Sequence, residues 1–147
     1  MGLKIPKHSR VLLDTVALIY FLEGNPRYIK QAEKVFSQIE AGILQGLMAN
    51  LVFAELLVPL YRAGDARKAS GLVNQLLSFR NLEVVTLQHE ISLEAARLRA
   101  QYDLRTPDAI HAATAVTSKV TGILTNDKRF KALTREGLEI WLFDELI

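Results

Sequence analysis

Short apolar blocks alternate along this chain with longer stretches in which apolar residues recur every three or four positions. The short blocks predict β-strands at residues 10–13, 44–49, 82–86, 120–125 and 138–142. The stretches between them predict a short helix ending at Leu22, helices over residues 27–40 and 90–102, a helix that Asn50 caps and that carries Glu55, a helix from Asp65 to about Phe79, and a helix that begins at Thr106-Pro107. A short helical turn is expected before the last strand.

Strands separated by helices require parallel crossover connections, with helices packed on both faces of the sheet. The pattern therefore predicts an α/β fold. The 147 residues contain no low-complexity segment, long linker or repeat, which indicates a single domain over residues 1–147. We expect residues 1–9 to form a flexible basic N-terminus.

Four acidic residues stand out because each lies in a stretch that otherwise carries almost no charge. They are Asp14, Glu55, Asp108 and Asp127. Apolar stretches are buried on folding, and an unpaired buried carboxylate costs several kcal/mol or has its pKa raised by roughly 3–5 units. Four such residues indicate that the fold gathers them around something positive.

The predicted elements place these acids near one edge of the sheet. Asp14 and Asp127 come directly after predicted strands, where the sites of parallel α/β sheets form. Asp108 opens a helix whose N-terminus should point to the same rim, and Glu55 lies one turn into its own helix. We expect all four to meet there.

Three of the acids also have a purely structural interpretation. Asp14 and Asp127 are placed to cap the helical segments that follow them. Asp108 follows the predicted cap Thr106, where a carboxylate gains about 0.3–1 kcal/mol from the helix dipole. Glu55 differs, because it is past the capping positions and no basic residue lies three or four positions away. Pro59 should bend or end that helix.

Other polar residues near the acids carry two interpretations each. Thr15 and Thr125 suit the orientation of a metal-bound water, or simple capping. His111, one turn after Asp108, is more typical of a core or interface histidine than of a ligand. The basic residues of this region form either a solvated face or contacts to a phosphate backbone, namely Arg105, Lys128, Arg129, Lys131 and Arg135.

Composition narrows the chemistry. The chain has no cysteine and only three histidines, which excludes disulfides and thiolate sites and disfavours zinc. Three aspartates and a glutamate form an all-oxygen ligand set that suits Mg²⁺ or Mn²⁺. Such an ion lowers the pKa of a bound water and stabilises the leaving oxygen in phosphodiester hydrolysis. The net charge of +2 and the pI near 9.0 permit an anionic partner without requiring one.

Four segments resemble the successive motifs of PIN-domain ribonucleases, especially the small toxins of bacterial and archaeal toxin–antitoxin pairs. They are LLDTVALIYFLEGNP, the isolated Glu55, LRTPDAIHAATA and ILTNDKRF. The resemblance implies that Asp14, Glu55, Asp108 and Asp127 bind the metal and act in catalysis, with Thr125 as a supporting hydroxyl. Val16 departs from the family, in which many members carry Ser or Asn.

The resemblance also implies a three-layer α/β/α fold with a parallel sheet of about five strands, and a homodimer. It implies Mg²⁺- or Mn²⁺-dependent cleavage of single-stranded or looped RNA. It further implies inhibition by an antitoxin protein whose C-terminal segment occupies the acidic groove.

Two alternative functions stay open at this point. One is a non-catalytic RNA-binding or scaffolding module that keeps the fold for a partner. The other is a haloacid-dehalogenase-like phosphohydrolase with Asp14 as nucleophile, although such enzymes want a second aspartate where this chain has Val16.

The sequence also predicts the cellular location of the protein. No apolar stretch approaches the roughly 20 residues needed to span a bilayer, and Asp14 interrupts the first apolar run in a way that secretory signals do not show. We expect a soluble, cytoplasmic protein with no membrane partner.

Overall fold

The computed structural model describes residues 2–147, and this part of the chain forms a five-stranded sheet. The strands are β1 (Arg10–Leu13), β2 (Gln45–Ala49), β3 (Leu82–Val85), β4 (Gly122–Thr125) and β5 (Glu139–Leu142). Their order is β3-β2-β1-β4-β5, and every neighbouring pair is parallel. The predicted α/β fold with a parallel sheet of about five strands is confirmed.

Seven α-helices connect the described strands. They are α1 (Thr15–Leu22), α2 (Ile29–Glu40), α3 (Leu51–Leu56), α4 (Val58–Arg62), α5 (Ala66–Leu77), α6 (His89–Tyr102) and α7 (Thr106–Thr117). Two 3₁₀ segments follow, at Lys128–Glu136 and Phe143–Glu145. The first is longer than the short turn that the sequence predicts before β5. Helix α7 starts at Thr106 itself, so the N-cap position falls on Arg105, whose side chain makes no capping bond.

Two separate apolar cores show that the fold has three layers. Val11 and Leu13 face one core, and Leu12, between them on β1, faces the other. The first core contains the buried apolar residues of α1 and α2, and the second those of α6 and α7. Successive side chains of a strand point to opposite faces, and both faces of β1 are covered by helices. Its sequence is therefore a continuous apolar run and not an alternation of apolar and polar residues.

Gly122 allows β4 and β5 to lie close together. A Cβ built on this residue would lie 2.4 Å from the backbone oxygen of Glu139 and 2.7 Å from the Trp141 ring. No side chain fits at those distances, so glycine is required there. This packing fixes the strand that leads to Thr125.

The helical segment that carries Glu55 ends just before Pro59, as the sequence predicts. Helix α3 ends at Leu56, and α4 begins at Val58 with the proline in its first turn. Proline is tolerated there because the first N–H groups of a helix have no intrahelical acceptor. Glu55 therefore lies in the last turn of a six-residue helix rather than in the middle of a long one.

The N-terminal segment differs from the expected flexible tail over residues 1–9. In its described part, residues 2–9, the Ile5 side chain is buried. The Lys4 N–H donates to the Leu146 carbonyl at 2.9 Å, and the His8 N–H donates to the Ile43 carbonyl at 2.8 Å. An apolar anchor and backbone hydrogen bonds thus tie this basic segment to the domain. Met1 lies outside the described residues.

Within residues 2–147, the helices are too short or too polar for any of them to cross a lipid bilayer.

Candidate active site

The candidate site lies where the direction of the strand order reverses. β1 and β4 are neighbours in the sheet, and their chain continuations lead away on opposite sides. Asp14 follows β1 directly, and Asp127 lies two residues beyond the end of β4. The carboxyl ends of strands at such a switch point form a crevice in α/β sheets.

All four predicted acids line one groove of about 600 Å³, together with Thr125. Asp14 comes from the end of β1, Glu55 from α3, Asp108 from the first turn of α7, and Asp127 from the loop after β4. Segments that are distant in sequence are thus brought to the same edge of the sheet.

Asp14 is held by two hydrogen bonds. The Thr15 N–H donates to Oδ1 at 2.8 Å, which caps α1, and the Thr125 hydroxyl donates to Oδ2 at 2.7 Å. Burial raises the pKa of Asp14, although the nearby His111 and the Thr125 hydrogen bond act in the opposite direction. Asp14 therefore caps α1 and also lines the groove.

Glu55 has a partner that its own helix cannot supply. Its Oε1 accepts from the Thr15 hydroxyl at 2.7 Å and lies 2.8 Å from His111 Nε2. The His111 hydrogen bond lowers the pKa of Glu55, more than partial burial raises it.

His111 is a site residue that the sequence interpretation missed. The side chain is only 1% exposed, as expected for a core histidine, but Nε2 also lies 3.7 Å from Asp14 Oδ1 and 3.3 Å from the Thr15 hydroxyl. Burial lowers the pKa of His111, but the Glu55 hydrogen bond and the Asp14 charge outweigh it and raise the pKa overall. The sequence feature that could have identified it is its position one turn after Asp108, which places both side chains on the same face of α7.

Asp108 and Asp127 face arginines. Arg105 Nε donates to Asp108 Oδ2 at 3.1 Å. Arg129 Nη2 donates to Asp127 Oδ2 at 2.6 Å. The same nitrogen lies 3.7 Å from Asp108 Oδ2. The Arg129 hydrogen bonds lower the pKa of Asp127. Asp127 also caps the 3₁₀ segment by accepting from the Arg129 N–H at 2.9 Å.

Thr125 joins the two sides of the groove. Its hydroxyl donates to Asp14 and accepts from the Asp127 N–H at 3.1 Å. The side chain is fully buried at the end of β4. Its hydrogen bonds fix the direction of the Asp14 carboxylate relative to the loop that follows the strand.

The donor atoms of the groove suit a divalent metal ion, but their arrangement does not. Four carboxylates and the Thr125 hydroxyl form the hard, all-oxygen set that Mg²⁺ or Mn²⁺ prefers. Within residues 2–147, however, no three acidic or histidine side chains stand where they could together hold an ion. Glu55 is turned to His111, and Asp127 to Arg129. The donor set fits a divalent cation by its chemistry, while basic side chains now supply the positive charge.

Comparison with known proteins places the chain in a family. A model of the PIN domain matches residues 11–136. A comparison with curated protein sequences finds no match.

Solved structures share the fold at low sequence identity. A toxin–antitoxin complex from Klebsiella pneumoniae superposes with a TM-score of 0.61 at 24% identity, over 82% of this chain and 89% of that one. VapBC2 from Rickettsia felis, bound to a promoter DNA fragment, gives 0.68 at 18% identity over 90% and 98%. FitAcB from Neisseria gonorrhoeae gives 0.66 at 17% identity over 92% and 99%. The fold and the sequence match agree, and this chain belongs to the PIN-domain family.

Proposed function

We propose that this protein is a divalent-metal-dependent endoribonuclease and the toxin of a toxin–antitoxin pair. PIN domains are generally nucleases. The observation that carries the proposal is that four acids from four separate segments line one groove at the switch point of the sheet. A fold that had no use for this negative charge would gain stability by replacing the most buried of these carboxylates.

Asp14, Glu55, Asp108 and Asp127 would hold Mg²⁺ or Mn²⁺ in this proposal. The bound ion would lower the pKa of a water and stabilise charge on the leaving oxygen of the phosphodiester. Thr125 positions Asp14 through its hydroxyl, and Thr15 and His111 position Glu55. The Thr125 hydrogen bond fixes the Asp14 carboxylate before substrate arrives, so less ordering of that group is required during the reaction.

The basic residues at the groove suit an RNA backbone. Arg105 and Lys128 line it and are exposed to solvent. Exposed cations beside an acidic centre attract phosphates and contribute binding that weakens as salt is raised. The sequence interpretation of these residues as phosphate contacts thus becomes part of the proposal.

The proposed partners follow from the structural relatives. The neighbours described above include toxin–antitoxin complexes. By analogy we propose an antitoxin protein that covers the acidic groove, a homodimer, and a cytoplasmic location. If a small reading frame adjoins the gene, its co-expression and co-purification with this protein test the antitoxin directly.

The nuclease proposal is tested by two isosteric substitutions, Asp14→Asn and Asp108→Asn. Each should abolish Mn²⁺-dependent cleavage of single-stranded RNA while the circular dichroism spectrum stays unchanged. The matched control is Asp103→Asn, which changes an exposed aspartate that does not line the groove. Asparagine also tolerates the left-handed backbone at that position. Full activity in either groove variant would contradict the assigned site.

One observation favours a second candidate, a non-catalytic RNA-binding or scaffolding module. The four groove acids pair with two arginines and a histidine, and within residues 2–147 no three acidic or histidine side chains could hold an ion as they stand. Calorimetric titration with Mn²⁺ separates the two. Binding that disappears in Asp14→Asn supports the nuclease, and no binding in the wild type supports the module. The family match leaves the haloacid-dehalogenase-like alternative without support.

A further inference from the structure

One wall of the acidic groove is not acidic. Val16 and Tyr20 lie one turn apart on α1, and both line the groove. Neither side chain takes part in the proposed metal chemistry. Because Val16 carries no polar group, the wall that these two residues form is apolar apart from one hydroxyl, that of Tyr20.

The Tyr20 ring is fixed from two directions. It stacks on Tyr28 with ring centroids 4.4 Å apart and planes 20° apart. Phe143 meets it edge-on at 4.9 Å and 86°. Both geometries are favourable for aromatic pairs. A side chain that is held in this way loses little freedom when it binds a ligand.

The Tyr20 hydroxyl is oriented by Asn126. Asn126 Nδ2 donates to the hydroxyl oxygen at 3.3 Å. The Asp144 N–H donates to Asn126 Oδ1 at 3.3 Å, which settles which end of the amide faces the tyrosine. The hydroxyl oxygen therefore acts as an acceptor. Among the described residues no group accepts the Tyr20 O–H proton, so this proton is available to a ligand.

We propose that Tyr20 and Asn126 form a nucleoside subsite beside the acids. In it the Tyr20 O–H donates to a base adjoining the phosphate that is cleaved, and Val16 packs against that nucleoside. Base edges carry carbonyl oxygens and ring nitrogens as acceptors, and their Watson–Crick edges are free only where the RNA is unpaired. This inference rests on the proposed ribonuclease function and adds how the substrate is recognised.

The size of the groove and the order of residues along one of its loops agree with such a ligand. A volume of about 600 Å³ falls within the roughly 300–1,000 Å³ of typical small-molecule sites. Asn126 is the direct neighbour of Asp127, and Lys128 is the next residue. In this proposal Asn126 lies beside the base, and Lys128, two residues later on the same loop, is placed for the phosphate. The acid Asp127 lies between them.

The test removes one hydroxyl at a time. Tyr20→Phe keeps the ring and its packing and deletes the donor. Tyr102→Phe is the matched control, since its hydroxyl bonds to Glu136 and does not line the groove. We expect Tyr20→Phe to lower kcat/KM for single-stranded RNA about tenfold, mainly through KM, as the loss of one hydrogen bond does. Base preference at one position beside the cut should weaken. Tyr102→Phe should stay within about twofold of the wild type.

A binding measurement separates this inference from the nuclease proposal. RNA oligonucleotide binding is followed by fluorescence anisotropy without metal, in an Asp14→Asn background. Weaker binding caused by Tyr20→Phe supports the subsite even if the wild-type protein never cleaves RNA. If the wild type cleaves and Tyr20→Phe changes neither affinity nor cleavage pattern, the subsite is wrong and the nuclease stands. An equal loss in Tyr102→Phe also overturns the subsite.

Discussion

The four acids of the groove fall into two pairs that the protein neutralises differently. Asp14 and Glu55 form the histidine-held pair, in contact with the buried His111. Asp108 and Asp127 form the arginine-held pair, in contact with Arg105 and Arg129. His111 is 1% exposed, whereas the two arginines are 68% and 58% exposed.

The difference shows which half of the site the fold determines. His111 cannot leave its acids without unpacking α7 from the sheet, so that part is set when the chain folds. The arginines lie in solvent, where ion pairs are weak and screened by salt. A cation or a phosphate could therefore displace them at small cost. We infer that the histidine-held pair is preformed and that the arginine-held pair responds to ligands.

Replacing His111 is expected to have the largest effect on stability. His111→Ala leaves a cavity and removes the positive partner of Asp14 and Glu55. Breaking a buried pair in this way should lower the free energy of unfolding by about 2–4 kcal/mol, measured by urea denaturation. His89→Ala, at an exposed position on α6, is the control and should change it by less than about 0.5 kcal/mol. If both variants change the free energy of unfolding by the same small amount, His111 does not hold the pair.

Asp14→Asn should stabilise the metal-free protein by about 1 kcal/mol, although it is expected to abolish cleavage. Burial raises the pKa of Asp14, so the fold disfavours its ionised form. Asparagine removes the charge and still caps α1, since Asn and Asp cap equally well. Thermal unfolding without metal measures the effect.

Glu55→Gln is the contrasting variant of the same pair. The His111 hydrogen bond lowers the pKa of Glu55, so the fold favours its ionised form and the substitution should lower the melting temperature. Two acids within one pair should thus respond with opposite signs. If both substitutions change the melting temperature in the same direction, burial does not dominate at Asp14 or the His111 contact does not dominate at Glu55.

Sequence reasoning reached most of the fold but only part of the site. The strand β1 is predicted to the residue, because an apolar run this short, bounded by Arg10 and Asp14, has the length of a buried strand and not of a helix. The acids are found because charge is rare in their segments. His111 is missed as a site residue, since a histidine among alanines looks like core packing until Asp14 and Glu55, from elsewhere in the chain, are placed against it. The arginine contacts are different, because Arg105 lies only three residues before Asp108 and Arg129 only two residues after Asp127. Those spacings are visible in the sequence, and only the approach of Arg129 to Asp108 needs the fold.

The pH dependence of stability tests the histidine-held pair as a whole. The pKa of His111 is raised, so its contribution is complete below about pH 6.5 and is lost as the pH rises through the folded-state value. Asp14, whose pKa is raised from 3.8, acts in the same direction. The pKa of Glu55 is lowered, so its contribution exists above about pH 4.5 and is lost as the pH falls through the folded-state value. The melting temperature of the metal-free protein should therefore fall as the pH rises above about 6.5. The fall should be smaller in Asp14→Asn. A flat profile in the wild type would contradict the raised pKa of His111.

Arg129→Gln should have the smallest effect on stability and is the direct test of the arginine-held pair. Because the guanidinium is exposed, the melting temperature should change by less than about 2 °C, and the difference should vanish near 1 M salt. The pKa of Asp127 should return towards its ordinary value, since the Arg129 hydrogen bonds are what lower it; a carboxyl NMR titration measures this. Arg135→Gln, at an exposed position outside the groove, is the matched control. A loss of stability as large as that of His111→Ala would mean that both pairs are fixed by the fold, and that the arginine-held pair is not free to exchange its arginine for a ligand.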